Sequence, residues 1–282
     1  MSKGKTIVVG GDGKVGGFVY EYLSQQGHDV AKTTRKPSQA GGSTIFYDGS
    51  TNSIGNIISL QPTTVVWAIG ASGYALCRDK REECHWANVI ILEEFLAEAQ
   101  GLANFIFLSS TSVFDAASGV YKSTSPTAAV SEYGKQKAVG EQAIQSSGVS
   151  YSILRLGKVL TPCWPLLANW KKAVADGVKI EAFSNLSLSP IFPLPIAQFI
   201  ESILPEGESE TFHCSHHKAL SYLEFAHSIV KMCGGDPSLV EESLCRLEMT
   251  DGGAGDVDIV PSKAWLQFHF DPMSLPLEEW FS

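Results

Sequence analysis

The sequence has no Cys-x-x-Cys pair, no long apolar run and little charge. Its six cysteines, Cys77, Cys84, Cys163, Cys214, Cys233 and Cys245, are scattered along 282 residues. That scatter suggests neither a disulfide framework nor a zinc site. No apolar stretch reaches the ~18 residues that a bilayer span needs. A strand-like segment starts at Thr6, which leaves no room for a signal peptide. Charged residues are only 18% of the chain, and acids outnumber bases to give a formal net charge of −9. An acidic balance argues against nucleic-acid and anionic-membrane partners, although a local basic patch can still hold a phosphate. Repeats and low-complexity linkers are absent too. A cytoplasmic globular chain with reduced thiols is expected.

What is present is an alternation of short apolar runs with helix-length segments. The strand-like runs are Thr6–Gly10, Asp29–Thr33, Thr44–Tyr47, Thr63–Ile69, Asn104–Ser109 and Tyr151–Leu156; the helical ones between them are Val15–Gln26, Asp79–Gln100 and Ser131–Ser147. Such a rhythm predicts an α/β fold of the Rossmann type, a doubly wound parallel sheet with both faces covered. Beyond Gly157 the rhythm breaks down, with Pro and Trp clustered over Pro162–Trp170 and helical patterns returning at Ile196–Leu204 and Ser221–Gly234. Residues 1–157 therefore read as a dinucleotide-binding domain. Residues 158–282 read mainly as a smaller α/β substrate domain, with some later segments rejoining the sheet.

The first strand empties into Gly10-Gly11-Asp12-Gly13-Lys14-Val15-Gly16, a GxxGxxG turn ahead of a helix. In such a turn the first glycine allows a tight bend, the second a close approach of backbone to pyrophosphate, and the third close helix–strand packing. The helix N-terminus then offers free N–H groups to phosphate. Gly10, Gly13, Lys14, Val15 and Gly16 are thus candidate NAD(P) contacts. At the end of the second strand stand Arg35 and Lys36 instead of the carboxylate that grips the ribose of NAD. They suit a 2′-phosphate and favour NADP, with NAD as the alternative; equally, two basic loop residues can simply be solvated. Asp48, after the third strand, is either an adenine contact or a polar turn residue.

Tyr133 and Lys137 lie four apart on a predicted helix and so share a face. A cation beside a phenol helps it to ionise, which fits Tyr133 as a proton donor or acceptor and Lys137 as its partner and as a ribose contact. The fifth strand ends in Ser109-Ser110-Thr111-Ser112, at the edge of a parallel sheet where ligands bind. Ser110 is placed to hold a substrate carbonyl, with Ser109 and Thr111 as alternatives. Asn88 is either a site-building amide or a helix-surface one. Phe212-His213-Cys214-Ser215-His216-His217 is rich in metal-ligand types, but alternate strand residues face opposite ways and no metal is expected. Trp164, Trp170, Trp265, Trp280 and the pair Glu278–Glu279 read as packing and solvated surface.

These motifs carry a resemblance. Leu108-Ser-Ser-Thr-Ser-Val-Phe-Asp115 resembles the STDYVFDG stretch of the dTDP-4-dehydrorhamnose reductase family, within the extended short-chain dehydrogenases/reductases. Tyr133-Gly-Lys-Gln-Lys-Ala-Val-Gly-Glu141 is similar to its YGKxKxxGE, Leu154-Arg-Leu-Gly157 to its LRxx, and Ser221-Tyr-Leu-Glu-Phe-Ala226 to its SxxEFA. The resemblance implies NADPH-dependent reduction of a keto-sugar, with Ser110, Tyr133 and Lys137 as the catalytic set, and a homodimer. Related alternatives are an epimerase or dehydratase of nucleotide-sugars with bound NAD, and a non-catalytic NADP-binding regulatory subunit. Two stretches depart from the pattern. Trp67-Ala-Ile-Gly-Ala-Ser-Gly-Tyr74 replaces the family's Asn-Ala-Ala-Ala-Tyr-Thr-x-Val-Asp run, and Thr111-Ser112 replaces an Asp-Tyr. Both departures lie beside the expected substrate, so the sugar is left open.

Overall fold

The fold was taken from a computed structural model, which describes residues 4–99, 104–115, 120–161, 164–204, 209–216, 219–245 and Trp265. The first half runs β1 (Thr6–Val9), α1 (Lys14–Gln25), β2 (Val30–Thr34), β3 (Thr44–Phe46), α2 (Thr51–Ile58), β4 (Thr64–Trp67), α3 (Tyr74–Asp79), α4 (Arg81–His85), α5 (Ile91–Glu98), β5 (Asn104–Ser110), α6 (Glu132–Ser146) and β6 (Tyr151–Leu156). The second half runs β7 (Lys158–Val159), α7 (Pro165–Asp176), β8 (Ile180–Phe183), β9 (Ser187–Leu188), β10 (Pro190–Ile191), α8 (Pro193–Ile203), β11 (Glu210–Cys214), β12 (Leu220–Ser221), α9 (Tyr222–Met232) and β13 (Val240–Ser243).

A seven-stranded sheet in the order β11-β6-β5-β4-β1-β2-β3 forms the centre, and every pairing in it is parallel. Its inner strands are buried almost throughout because both faces are covered. Successive side chains point to opposite faces, so β1 divides. Val8 joins Val19 and Leu23 of α1 and Phe199 and Ile200 of α8, while Ile7 and Val9 join Phe95 of α5 and Ile144 near the end of α6. The strand order reverses between β1 and β4, which opens the crevice where such sheets bind ligands.

The second half is split between two places. β11 continues the sheet beyond β6, and α8 packs on α1, where Glu201 accepts from Tyr22 Oη (2.9 Å) and meets His28 Nε2 (2.7 Å). The rest builds a smaller unit around Leu167, Trp170, Ile180, Phe225 and Ile229, from α7, α9 and β8. One helical reading needs correction, and one short helix goes unforeseen. Asp79–Gln100 is not one helix: α3 and α4 are separate, and a π-turn over Trp86–Ile90 joins α4 to α5. The eight-residue α2 has too short an apolar pattern to stand out from a loop. Trp280 and Glu278–Glu279 lie outside the described residues. Among the described residues no helix is long and apolar enough to cross a membrane.

Candidate functional site

The carboxyl ends of β1, β4 and β5 surround a cleft of about 600 Å³. Its wall includes Gly13, Lys14, Val15 and Gly16 from the first turn, Ser110 from β5, and Tyr133 and Lys137 from α6. Gly10 sits behind this wall with φ +97°, a backbone conformation that favours glycine, and an added Cβ would meet the Ala68 carbonyl carbon at 2.8 Å. The Gly10 N–H donates to Thr33 Oγ1 (2.9 Å), which ties the turn to β2. A Cβ on Gly16 would lie 2.5 Å from the Gly10 carbonyl oxygen. On Gly13 it would meet that oxygen alone, at 3.1 Å. The side of Gly13 toward the cleft is therefore open, a cradle that a larger side chain would fill. This arrangement fits a pyrophosphate at the N-terminus of α1.

Helix α6 begins with Ser131, whose hydroxyl accepts from Gly134 N (3.1 Å). A Cβ on Gly134 would lie 2.0 Å from the Ser112 carbonyl oxygen, so only glycine lets α6 press against the exit of β5. That contact sets Tyr133 beside Ser110 on the cleft wall. Ser110 Oγ donates to Ser112 Oγ (3.0 Å), which pairs with Tyr74 Oη (2.8 Å). A row of hydroxyls, Tyr133–Ser110–Ser112–Tyr74, thus lines one side of the cleft. Burial pushes the Tyr133 phenol above its ordinary range, and Tyr74 adds to this, whereas Ser110 pulls the other way. At neutral pH Tyr133 holds its proton.

Lys137 is buried, with Nζ 4.1 Å from the centre of the Phe107 ring. Burial lowers its ammonium to about 8, against the weaker opposing pull of Glu141. Glu141 itself is held by Arg155, Nη2 to Oε2 2.7 Å, and accepts from Ser109 Oγ (2.5 Å). Ser109 therefore faces this buried ion pair, while Ser110 faces the cleft. Thr111 is buried in the turn that follows.

Asn88 is no surface amide. It is 2% exposed in the π-turn, accepts from Ala71 N (2.8 Å), and donates to Ala71 O (3.1 Å) and Gln136 Oε1 (2.7 Å). It pins the segment after β4 to α6. Arg35 and Lys36 are exposed just after β2, outside the cleft wall. Asp48 is exposed and turned to its own loop, with Oδ1 accepting from Ser50 N (2.9 Å), Ser50 Oγ (2.6 Å) and Ser53 Oγ (2.9 Å). Those bonds hold its carboxyl below the usual range. His213 lies on the Arg155 side of β11, edge-on to Phe114, and Cys214 lies in the core on the other side. Trp170 and Trp265 are buried; Trp164 lines the cleft, with Lys158 Nζ 5.3 Å from its ring centre.

Sequence reasoning missed Tyr74, Ser112, Gln136 and Asp12. Tyr74 and Ser112 had been noticed only as departures from a pattern. Asp12 was passed over inside the glycine turn, yet its Oδ2 accepts from Thr34 Oγ1 (2.8 Å) at the end of β2. The strand end has no carboxylate of its own, and the fold brings one to it from the glycine turn.

A Rossmann-type sheet carrying a glycine turn, a hydroxyl strand end and a Tyr-x-x-x-Lys helix around one cleft defines an extended short-chain dehydrogenase/reductase. Within that class the chain belongs to the RmlD substrate binding domain family, whose model matches residues 4–245. It is 25% identical over 249 residues to a probable low-salt glycan biosynthesis reductase of Haloferax volcanii, covering 84% of this chain and 83% of the relative. Its fold is similar to that of dTDP-4-dehydrorhamnose reductase from Bacillus anthracis, crystallised with NADP (TM-score 0.80, 16% identity, 95% and 94% of the two chains). It is also similar to a Bordetella bronchiseptica enzyme crystallised with NAD and UDP (TM-score 0.76, 22% identity, 95% and 90%).

Proposed function

We propose that the chain is an NADPH-dependent reductase of a keto-sugar, most simply a nucleotide-linked one. The observation that carries this reading is the protonated Tyr133, set beside Ser110 and Lys137 in the same cleft as the open glycine cradle. Gly13, Lys14, Val15 and Gly16 would hold the dinucleotide's pyrophosphate, and Lys137 its nicotinamide ribose. The bound dinucleotide supplies a hydride. Ser110 orients the substrate carbonyl by a hydrogen bond to its oxygen. Tyr133 gives its phenolic proton to that oxygen as the carbon is reduced, so a ketone becomes an alcohol. Tyr133 enters the reaction with its proton in place, the form a donor needs, and burial makes that proton harder to release unless a cation meets the phenolate. Lys137 then stabilises the phenolate left behind. The reductase named for Haloferax volcanii and the nucleotide complex of the Bordetella bronchiseptica enzyme agree with a sugar substrate that carries a nucleotide.

The test is a panel of nucleotide-linked keto-sugars followed by NADPH oxidation. Tyr133→Phe should bind NADPH nearly as well as the parent and turn over any confirmed substrate at least ~100-fold more slowly. Parental turnover by that variant would refute the mechanism. A parent that binds NADP but reduces no carbonyl would favour a partner-protein role instead.

A further inference from the structure

In a dinucleotide fold the choice between NAD and NADP is made at the carboxyl end of the second strand. There a carboxylate grips the adenosine ribose hydroxyls, or a cation meets a 2′-phosphate. Arg35 and Lys36 occupy that place in the chain. The fold brings a third group to it from the glycine turn. Asp12 is exposed, and its Oδ2 accepts from Thr34 Oγ1 (2.8 Å) on the last residue of β2. Thr34 is 2% exposed, and its hydroxyl also accepts from Lys36 N (3.1 Å). As a donor it has two acceptors in reach, Asp12 at the shorter distance and Gln39 Oε1 at 3.4 Å, and the shorter bond holds the carboxylate against the strand end. Among the described residues neither Arg35 nor Lys36 forms an ion pair with Asp12, and Oδ1 has no hydrogen bond. One full negative charge with a spare acceptor oxygen thus stands beside two exposed cations.

We propose that Asp12 is the residue that sets cofactor choice, accepting from a ribose hydroxyl of NAD(H) and opposing the 2′-phosphate of NADP(H). Arg35 and Lys36 pull the other way, so the strand end serves both cofactors. The inference rests on the dinucleotide reading of the cleft, but it concerns binding and needs no sugar substrate. A hydrogen bond to a charged group is worth ~10-fold in affinity or more, and a neighbouring phosphate is repelled by a similar factor at most.

Calorimetry with NADPH and with NADH on the full chain tests it. The parent should bind both. Asp12→Asn keeps the shape and the bond from Thr34 but removes the charge, so NADPH should tighten, NADH should weaken, and their ratio should widen ~10-fold. Thr34→Val frees the carboxylate and should move the ratio the same way by a smaller factor; it reads the same effect if the Asn variant folds poorly. A ratio unchanged within ~2-fold in both variants would overturn the role of Asp12 while leaving the dinucleotide reading intact. A folded parent that binds neither nucleotide would overturn both.

Discussion

Replacing Lys137 by methionine should make the protein more stable while disabling it. Lys137 is 4% exposed, and its pKa falls from 10.5 to about 8 because burial penalises the charge. An unfolded lysine holds its proton up to about pH 10.5, whereas the folded one releases it near pH 8. Between these values the unfolded state binds more protons, so raising the pH favours the fold. Below pH 8 both states are charged and the whole penalty acts, about 3 kcal/mol from the shift. The contact with Phe107 gives back ~1 kcal/mol, which methionine would replace only in part. Lys137→Met should therefore stabilise the free protein by about 2 kcal/mol at pH 7, or ~4–8 °C in Tm. Urea unfolding of parent and variant at pH 7 and at pH 9.5 measures it. The gap should shrink at the higher pH as the parent's lysine loses its proton. The variant should also bind dinucleotide more weakly. A variant less stable than the parent at pH 7, or a gap that does not change with pH, would refute the reasoning.

Gly13→Val should abolish dinucleotide binding yet leave the melting temperature close to the parent's, because a side chain there enters the cleft instead of the core; calorimetry and circular dichroism report the two halves. Glu141→Gln leaves the Arg155 guanidinium buried without its counter-charge and should cost about 3–5 kcal/mol in urea unfolding. A loss under ~1 kcal/mol would mean that the pair is not truly enclosed. Ser110→Ala should slow turnover by less than Tyr133→Phe does, since Tyr133 keeps its proton; steady-state rates on a confirmed substrate decide the order.

Local chemistry made much of this legible. Gly10, Ser110, Tyr133 and Lys137 stand out because a turn, a strand end and a helix face each impose a short-range pattern, and a parallel sheet brings those ends together. What escaped depends on contacts between segments far apart in the chain. Asp12 meets Thr34 only because β1 and β2 are neighbours, and Tyr74 meets Ser112 only through the path of the chain after β4. Asn88, left open between a site-building and a surface amide, faces inward within the π-turn, where the helix departs from its 3.6-residue period. The soft point at residue 157 has a similar cause. β11 and α8 return to the first half, and their apolar patterns carry no mark of which sheet they will join.

The π-turn at Trp86–Ile90 bears on how this chain can change its length. Cys84 before it and Ile91, Leu92 and Phe95 after it are all buried, with Asn88 facing inward between them. A π-turn winds more widely than an α-helix, so its five residues turn the rod about as far as four α-helical ones and the extra residue is absorbed without rotating one flank against the other. Deleting one residue here would leave the Cys84 and Phe95 sides in phase but move the amide that clamps Ala71 to Gln136. The wide turn thus aims Asn88 inward while both buried stripes keep their phase. A length change in this rod is paid for in the segment after β4, several turns away from the glycine cradle in sequence yet sharing its wall.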